Sequence, residues 1–461
     1  MRCNPLLLCR RLYVALRMLG CVVVLMPILG CETVVLPDPL QDGSEVSVPE
    51  GGGEEAQLPT ESTAPRRPSS EVSLVGGSRL ADIAERLDQV AITRSSTLPE
   101  VQAAQAQLRA LRFDRYPQIR PTASAPLTGG SASFGLNIEQ LIWDGGRIRG
   151  RMTDAELKVA EASLRAWEER NSTVYNGLEA YENITRYEAR LRSLAGLKAD
   201  LDAISALLQT RMEGGVADRG ELLRVNAAIN SVERNSLADR SDLRQAQTDF
   251  SRLMADTQNM GSLSDLGSAT NQCSRSWPDT EAPADALARI SLARAEVSEN
   301  TVRAQRFPKV VLSGGTTYSQ GGWSEPAIGI QLDASNMLGL GRGGTVDAAS
   351  ATTRAAEASY TLQKDETQAD LARLEADFGG LRADVTSLRS LAQQGEATLD
   401  LYEEQLDVGS ISLTDGIVLH RERVDTLISL IDAEADILLN CLRSSQRRGL
   451  LAPFGAIDES N

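Results

Sequence analysis

Residues 131–150, "SASFGLNIEQLIWDGGRIRG", decide how the rest of the chain is read. Phe134, Leu136 and Ile138 fall on one face of a strand, while Ser133, Gly135, Asn137 and Glu139 fall on the other. After Gly146 the pattern becomes helical and stays so for roughly sixty residues without a proline. Gly145 and Gly146 permit backbone angles closed to residues with a Cβ. Asp144, Gly145 and Gly146 are therefore the expected swivel from strand into helix.

Bulk composition agrees with long helices. The chain has 461 residues, of which only 4 % are aromatic although 42 % are hydrophobic, much of that alanine and leucine. Such a mixture suits closely packed helices better than an aromatic-rich core. A formal charge of -16 with no basic stripe argues against a nucleic-acid partner. His420 is the only histidine and no CxxC is present, so no metal-ligand cluster is expected.

The N-terminus reads as an export signal over residues 1–30. Arg2, Arg10, Arg11 and Arg17 form a basic region ahead of the apolar run "MLGCVVVLMPIL". The run ends in "ILGC" and resembles a bacterial lipobox, which would place a lipid on Cys31. An ordinary signal with an incidental cysteine is the alternative. Residues 31–77 are rich in Pro, Gly, Glu and Ser and read as a flexible tether. With the signal removed, Cys273 and Cys441 remain besides Cys31; in an oxidising compartment they are a candidate disulfide, and two buried thiols are the alternative.

Beyond the tether the same order of elements occurs twice. Helical sequence from about residue 78 to 115, with a possible interruption at Pro99, precedes two strands near 118–127 and 131–143. A long helix to about 212, a break, and a helix to about 254 complete the first unit, residues 78–254. A loop-rich connection, 255–283, leads to the second unit, 284–450, and a tail, 451–461. "RYP" at Arg115–Pro117 recurs as "RFP" at Arg306–Pro308, "GGRIRG" recurs as "GLGRGG", and the break at Gly215 recurs at Gly409. These landmarks repeat at nearly one offset.

The two RxP strand starts, "LNIEQLIWDGGRIRG" and "DVGSISLTDGIVL" together resemble the TolC-like outer-membrane efflux family, of the lipid-anchored kind, from about residue 78 to 450. The resemblance implies a mainly α fold with a small β part. Three chains would pool four strands each in a 12-stranded membrane barrel, above a tunnel of long periplasmic helical hairpins. It also implies a homotrimer in the outer membrane of a Gram-negative bacterium. The expected partners are membrane lipid, a periplasmic adaptor and an inner-membrane transporter of the RND or ABC type. The function implied is a passive duct of a tripartite efflux or type I secretion system, with no cofactor and no enzymatic activity. A structural coiled-coil lipoprotein that forms no pore is the alternative.

Physical arguments point the same way. A helix of about sixty residues reaches roughly 90 Å, so it must pack lengthwise against other helices. Four strands cannot close a membrane barrel, and an open edge in lipid leaves backbone groups unpaired. Ile328, Ile330 and Leu332 alternate with Gly329, Gln331 and Asp333, as a strand between lipid and a watery lumen requires.

By the resemblance, the two helix breaks form the tip that meets the adaptor. They are Met212, Glu213, Gly214, Gly215, Val216 and Ala217, and then Asp407, Val408, Gly409, Ser410, Ile411 and Ser412. Asp415 falls where the family places the first aspartate of a narrowing acidic ring, while the second such position is Val418. The plain alternatives are a hairpin turn without a partner and a solvated helix-start aspartate. "GLGRGG", Gly339 to Gly344, satisfies GxGxxG, but the helix after it is far too long for a dinucleotide fold. Gly341 and Gly343 are read instead as the second strand-to-helix swivel.

Overall fold

The computed structural model describes residues 74, 78–125, 132–215, 218–254, 281–319, 321–334, 342–407 and 412–454. All belong to one compact unit, Ala56–Asn461; the other unit, Met1–Glu55, holds Cys31 and lies outside the described residues. The signal, most of the tether, and Cys273 likewise fall outside them.

Helix α1 runs over Arg79–Arg94 and α2 over Leu98–Arg112. The expected interruption falls just before Pro99, which sits in the first turn of α2, where its missing N–H costs nothing. The Glu169 carboxylate fastens this break by accepting from the Ser95, Ser96 and Thr97 hydroxyls. Strands β1 (Gln118–Ser124) and β2 (Ser133–Trp143) follow, then α3 (Arg147–Glu213) and α4 (Arg219–Leu253). The second unit repeats the order with α5 (Pro283–Ala304), β3 (Lys309–Ser319), β4 (Gly322–Trp323), β5 (Ala327–Asp333), α6 (Arg342–Asp407) and α7 (Leu413–Arg447).

The strands form one antiparallel sheet in the order β1-β2-β3, with β4 and β5 both on the far side of β3. The last two are one strand path interrupted before Pro326, whose nitrogen cannot donate to the ladder. Ser324 spans part of the gap, donating from its N–H to the Thr317 carbonyl at 2.8 Å.

α3 is the backbone of the molecule and packs against α1, α2, α4, α5 and α7. One apolar cluster joins α1, α3, α4 and α7 through Leu80, Leu87, Leu178, Phe250 and Leu438. A second joins Leu164 and Trp167 to Ala286 and Ile290 of α5. Residues 451–454 are no free tail. The Asn171 side-chain oxygen accepts from the N–H groups of Leu451 and Ala452 at 2.9 and 3.1 Å, and Trp167 donates to the Ala452 carbonyl at 2.8 Å. Gly449 makes the turn there at φ 74, under the Trp167 ring, where any side chain would collide.

A buried ion pair fixes α1 on α3. Arg170 donates to both oxygens of Asp88 at 2.8 and 2.7 Å, and the Arg170 residue is fully buried.

Candidate functional site

The sheet has two chemically distinct faces. Register places Ile119, Leu136, Ile138, Val310, Leu312, Ile328, Ile330 and Leu332 on one of them. Ile328 and Ile330 are 80 % and 74 % exposed, an apolar row of the kind that marks a protein or membrane contact. The opposite face carries Arg120, Asn137, Glu139, Ser313 and Gln331, with Arg120 and Glu139 paired at 3.3 Å.

Aromatic side chains sit at both ends of the apolar face. Trp143 and Phe307 meet edge-on at 5.7 Å at the helix end, and Tyr318 and Trp323 meet at 5.4 Å at the far end, beside Phe134. Nine residue steps separate Phe134 from Trp143 along β2, about 31 Å of strand. Tilted by about 40°, this spans roughly 24 Å, the height of the apolar band between the aromatic girdles of outer-membrane barrels.

Among the described residues neither β1 nor β5 has a neighbour on its outer edge, and every residue of both is exposed. Strand direction alternates across the sheet, so β1 and β5 run oppositely. The β5 edge of one chain can therefore pair antiparallel with the β1 edge of another, which removes the open edge.

The swivel is built as the glycines require. Gly145 and Gly146 have φ of 70° and 92°. The Asp144 carboxylate reaches over them to accept from the N–H groups of Gly146 at 3.0 Å and Ile148 at 2.7 Å, satisfying the start of α3. A Cβ on Gly145 would lie 2.9 Å from Phe307 Cβ, so the turn also docks against the RFP strand start of the second unit. Arg147 completes that junction by donating to the carbonyls of Gln305 and Phe307. Gly343 does not form a matching turn. It lies in the first turn of α6, without a positive φ, because the helix already begins at Arg342. Gly341 lies outside the described residues.

At the opposite end all four long helices converge. Leu197, Leu201 and Leu208 of α3, Val225 of α4, and Leu413 and Ile417 of α7 share one buried cluster, against which Leu406 of α6 packs. Met212 and Glu213 close α3, and Gly214 and Gly215 make the turn, with Gly215 at φ 73. Val216 and Ala217 are outside the described residues, as are Val408, Gly409, Ser410 and Ile411; Asp407 ends α6. Ser412 caps α7, its hydroxyl accepting from the Thr414 N–H at 3.1 Å. Asp415 is exposed in that first turn, and Val418 is exposed one turn on.

Tyr402 went unnoticed in the sequence. Its ring is buried against Gly416, where a Cβ has no room, and its hydroxyl donates to the Ser412 carbonyl at 3.3 Å. Burial pushes the Tyr402 hydroxyl's pKa up, Asp415 adds to the rise and Arg211 from the end of α3 opposes it. Nothing local to "LDLYEEQLD" marks this tyrosine. Its role exists only because α7 returns over it.

Cys441 is disulfide-bonded. No other cysteine is among the described residues, so its mate lies outside them.

The two-faced, open-edged sheet carried on helices of about 100 Å gives the chain a TolC-like fold. Residues 81–256 match the family model "Outer membrane efflux protein". The chain is 20 % identical over 344 residues to the outer membrane efflux protein BepC of Brucella suis, covering 67 % of this chain and 70 % of BepC. Its fold is similar to the outer membrane protein VceC of Vibrio cholerae, with TM-score 0.68, 18 % identity, 80 % of this chain and 96 % of VceC covered. The Campylobacter jejuni CmeC outer membrane channel gives TM-score 0.68 at 14 % identity, covering 89 % of this chain and 95 % of CmeC. The family resemblance read from the repeated landmarks is thereby borne out, by sequence in the first unit and by fold in both.

Proposed function

We infer that the protein is the outer-membrane channel of a tripartite efflux or type I secretion system, three copies forming a passive duct across the outer membrane and periplasm. The observation that carries this reading is the sheet, with one face predominantly apolar between aromatic side chains at both ends and, among the described residues, both outer edges unpaired. A structural lipoprotein without a pore gives no reason for such a face. None of the described helices is long and apolar enough to cross a membrane.

The helices support closure in the same way. Within one chain they lie side by side in the order α4, α3, α7, α6. The outermost, α6, buries only Thr367, Val385, Leu399 and Tyr402 among its described residues. It carries thirteen acidic against six basic residues, whereas α4 carries five against six. A cylinder of several chains would bring each acidic α6 against a neighbour's α4, which complements it. With four strands per chain, three chains give the twelve expected of the barrel.

The tip, where both hairpin turns meet, is the surface offered to an adaptor and transporter, and Cys31 is the proposed lipid site. Asp415 is proposed to ring the narrow end, where three copies would favour cations. Single-channel conductance in a planar bilayer tests the duct and the ring together. Discrete cation-selective steps are expected, with weaker selectivity in Asp415→Ala. Steps unchanged by the substitution would discard the ring, and a verified outer-membrane trimer without a water-filled path would refute the duct.

A further inference from the structure

Seven buried side-chain polar atoms among the described residues have no hydrogen-bond partner, and four of them gather in one place. They are both carboxylate oxygens of Glu182, and Nε of Arg186 and Oδ1 of Asp432, which face each other as an ion pair at 3.4 Å and so leave Glu182 as the group without a partner. Glu182 is completely buried in α3, midway along the seam where α3 of the first hairpin meets α7 of the second. A buried carboxylate without a partner is costly in its ionised form, which calls for a reason.

The surroundings offer Glu182 no spare positive charge. Arg186 is engaged by Asp436, by the Asp432 main-chain carbonyl at 3.0 Å, and through its Nε by the Asp432 carboxylate at 3.4 Å. Arg190 donates to Asp432 at 2.7 Å and to both oxygens of Asp239 in α4, at 3.1 and 3.0 Å. Two guanidinium groups thus already serve three carboxylates. Glu179 adds another acid one turn back along α3. From α1, Arg79 is directed at Tyr181, and from α7, Arg443 bonds the Tyr175 hydroxyl. α5 and the start of α2 meet α3 nearer its N-terminal end, at Asp154, Glu161 and Glu169.

We propose that the proton on Glu182 holds the α3–α7 seam closed, and that its loss loosens the second hairpin from the first. Ionised, Glu182 would be a fourth carboxylate facing two guanidiniums in a buried site, and separation of α7 would admit the water it needs. Consistent with this, burial raises the Glu182 pKa to about 7, with Arg186 opposing and Asp436, Asp432 and Glu179 adding. The folded value lies above the ordinary 4.5, so the contribution is fully present below about pH 4.5 and lost as pH rises through about 7. For an open seam that restores the ordinary value, the opening equilibrium rises about tenfold between pH 6 and pH 8.

The seam lies within one chain, so its behaviour can be read whether or not the channel conducts. Peptide-resolved hydrogen exchange on the purified full-length protein, corrected for the intrinsic pH dependence of exchange, should show residues 425–440 opening about tenfold more at pH 8 than at pH 6. Glu182→Gln keeps the shape and removes the titration, so its ratio should stay within about twofold. Should that variant fail to fold, Asp432→Asn serves in its place. Removing one acidic neighbour should move the wild-type transition to lower pH. A wild-type ratio near one, a tenfold ratio that survives in Glu182→Gln, or a transition unmoved in Asp432→Asn would overturn the proposal.

Discussion

Replacing Ile138 by arginine puts the membrane reading at risk most directly. Ile138 lies four residues from Phe134 and five from Trp143, halfway between the two aromatic rows, and its register partners are Ile119 and Gly314. An arginine on the lipid face of a barrel at the bilayer midplane costs about 2–4 kcal/mol. In the proposed trimer the three copies sit far enough apart around the barrel to act independently, so it should lose roughly 6–12 kcal/mol. The control is Ser313→Arg, on the opposite face, where register places the new side chain across from Glu139. Into a watery lumen the same residue costs little. The assay is the yield of detergent-resistant trimer from outer membranes, followed by urea unfolding of the surviving protein in lipid vesicles. Ile138→Arg should nearly abolish the trimer, and Ser313→Arg should leave it close to wild type. Equal yields and equal unfolding midpoints would refute the claim that this face meets lipid.

Asp88→Ala should destabilise the protein by about 3–5 kcal/mol, because it strands the buried Arg170 guanidinium; Asp88→Ala with Arg170→Met should lose distinctly less, both read by denaturant unfolding. The disulfide at Cys441 should give a mobility difference between reduced and unreduced protein that disappears in Cys441→Ser. If Cys273 is the mate, Cys273→Ser abolishes the same difference and costs about 2–4 kcal/mol of stability; a difference that persists in Cys273→Ser assigns the mate elsewhere.

Much of the fold is legible in the sequence because its signals are local. Two-residue alternation from Phe134 to Ile138 and from Ile328 to Leu332 marks strands, and the glycine pair at 145–146 marks the turn that follows. The long helices announce themselves by length, and α3 ends within one residue of the expected position. The second swivel is less legible. "GLGRGG" offers four glycines in six positions, and sequence alone does not say which of them the helix will absorb.

What only the tertiary structure decided concerns pairs distant in sequence. The amino-acid pattern determined that a strand has one apolar side, but the register of β2 on β3 determined that these sides form one band with aromatic rows at both ends. Composition made the chain acidic; the packing of α7 on α3 placed two arginines among Asp239, Asp432 and Asp436 and left Glu182 without a partner. Tyr402 became part of the tip only when Gly416 folded over it. The physical reason is the same in each case. Backbone preference and hydrophobic period act over a few residues and can be read from a window of sequence. Burial and charge pairing depend on which distant segment arrives opposite, and that is settled only once the helices have packed.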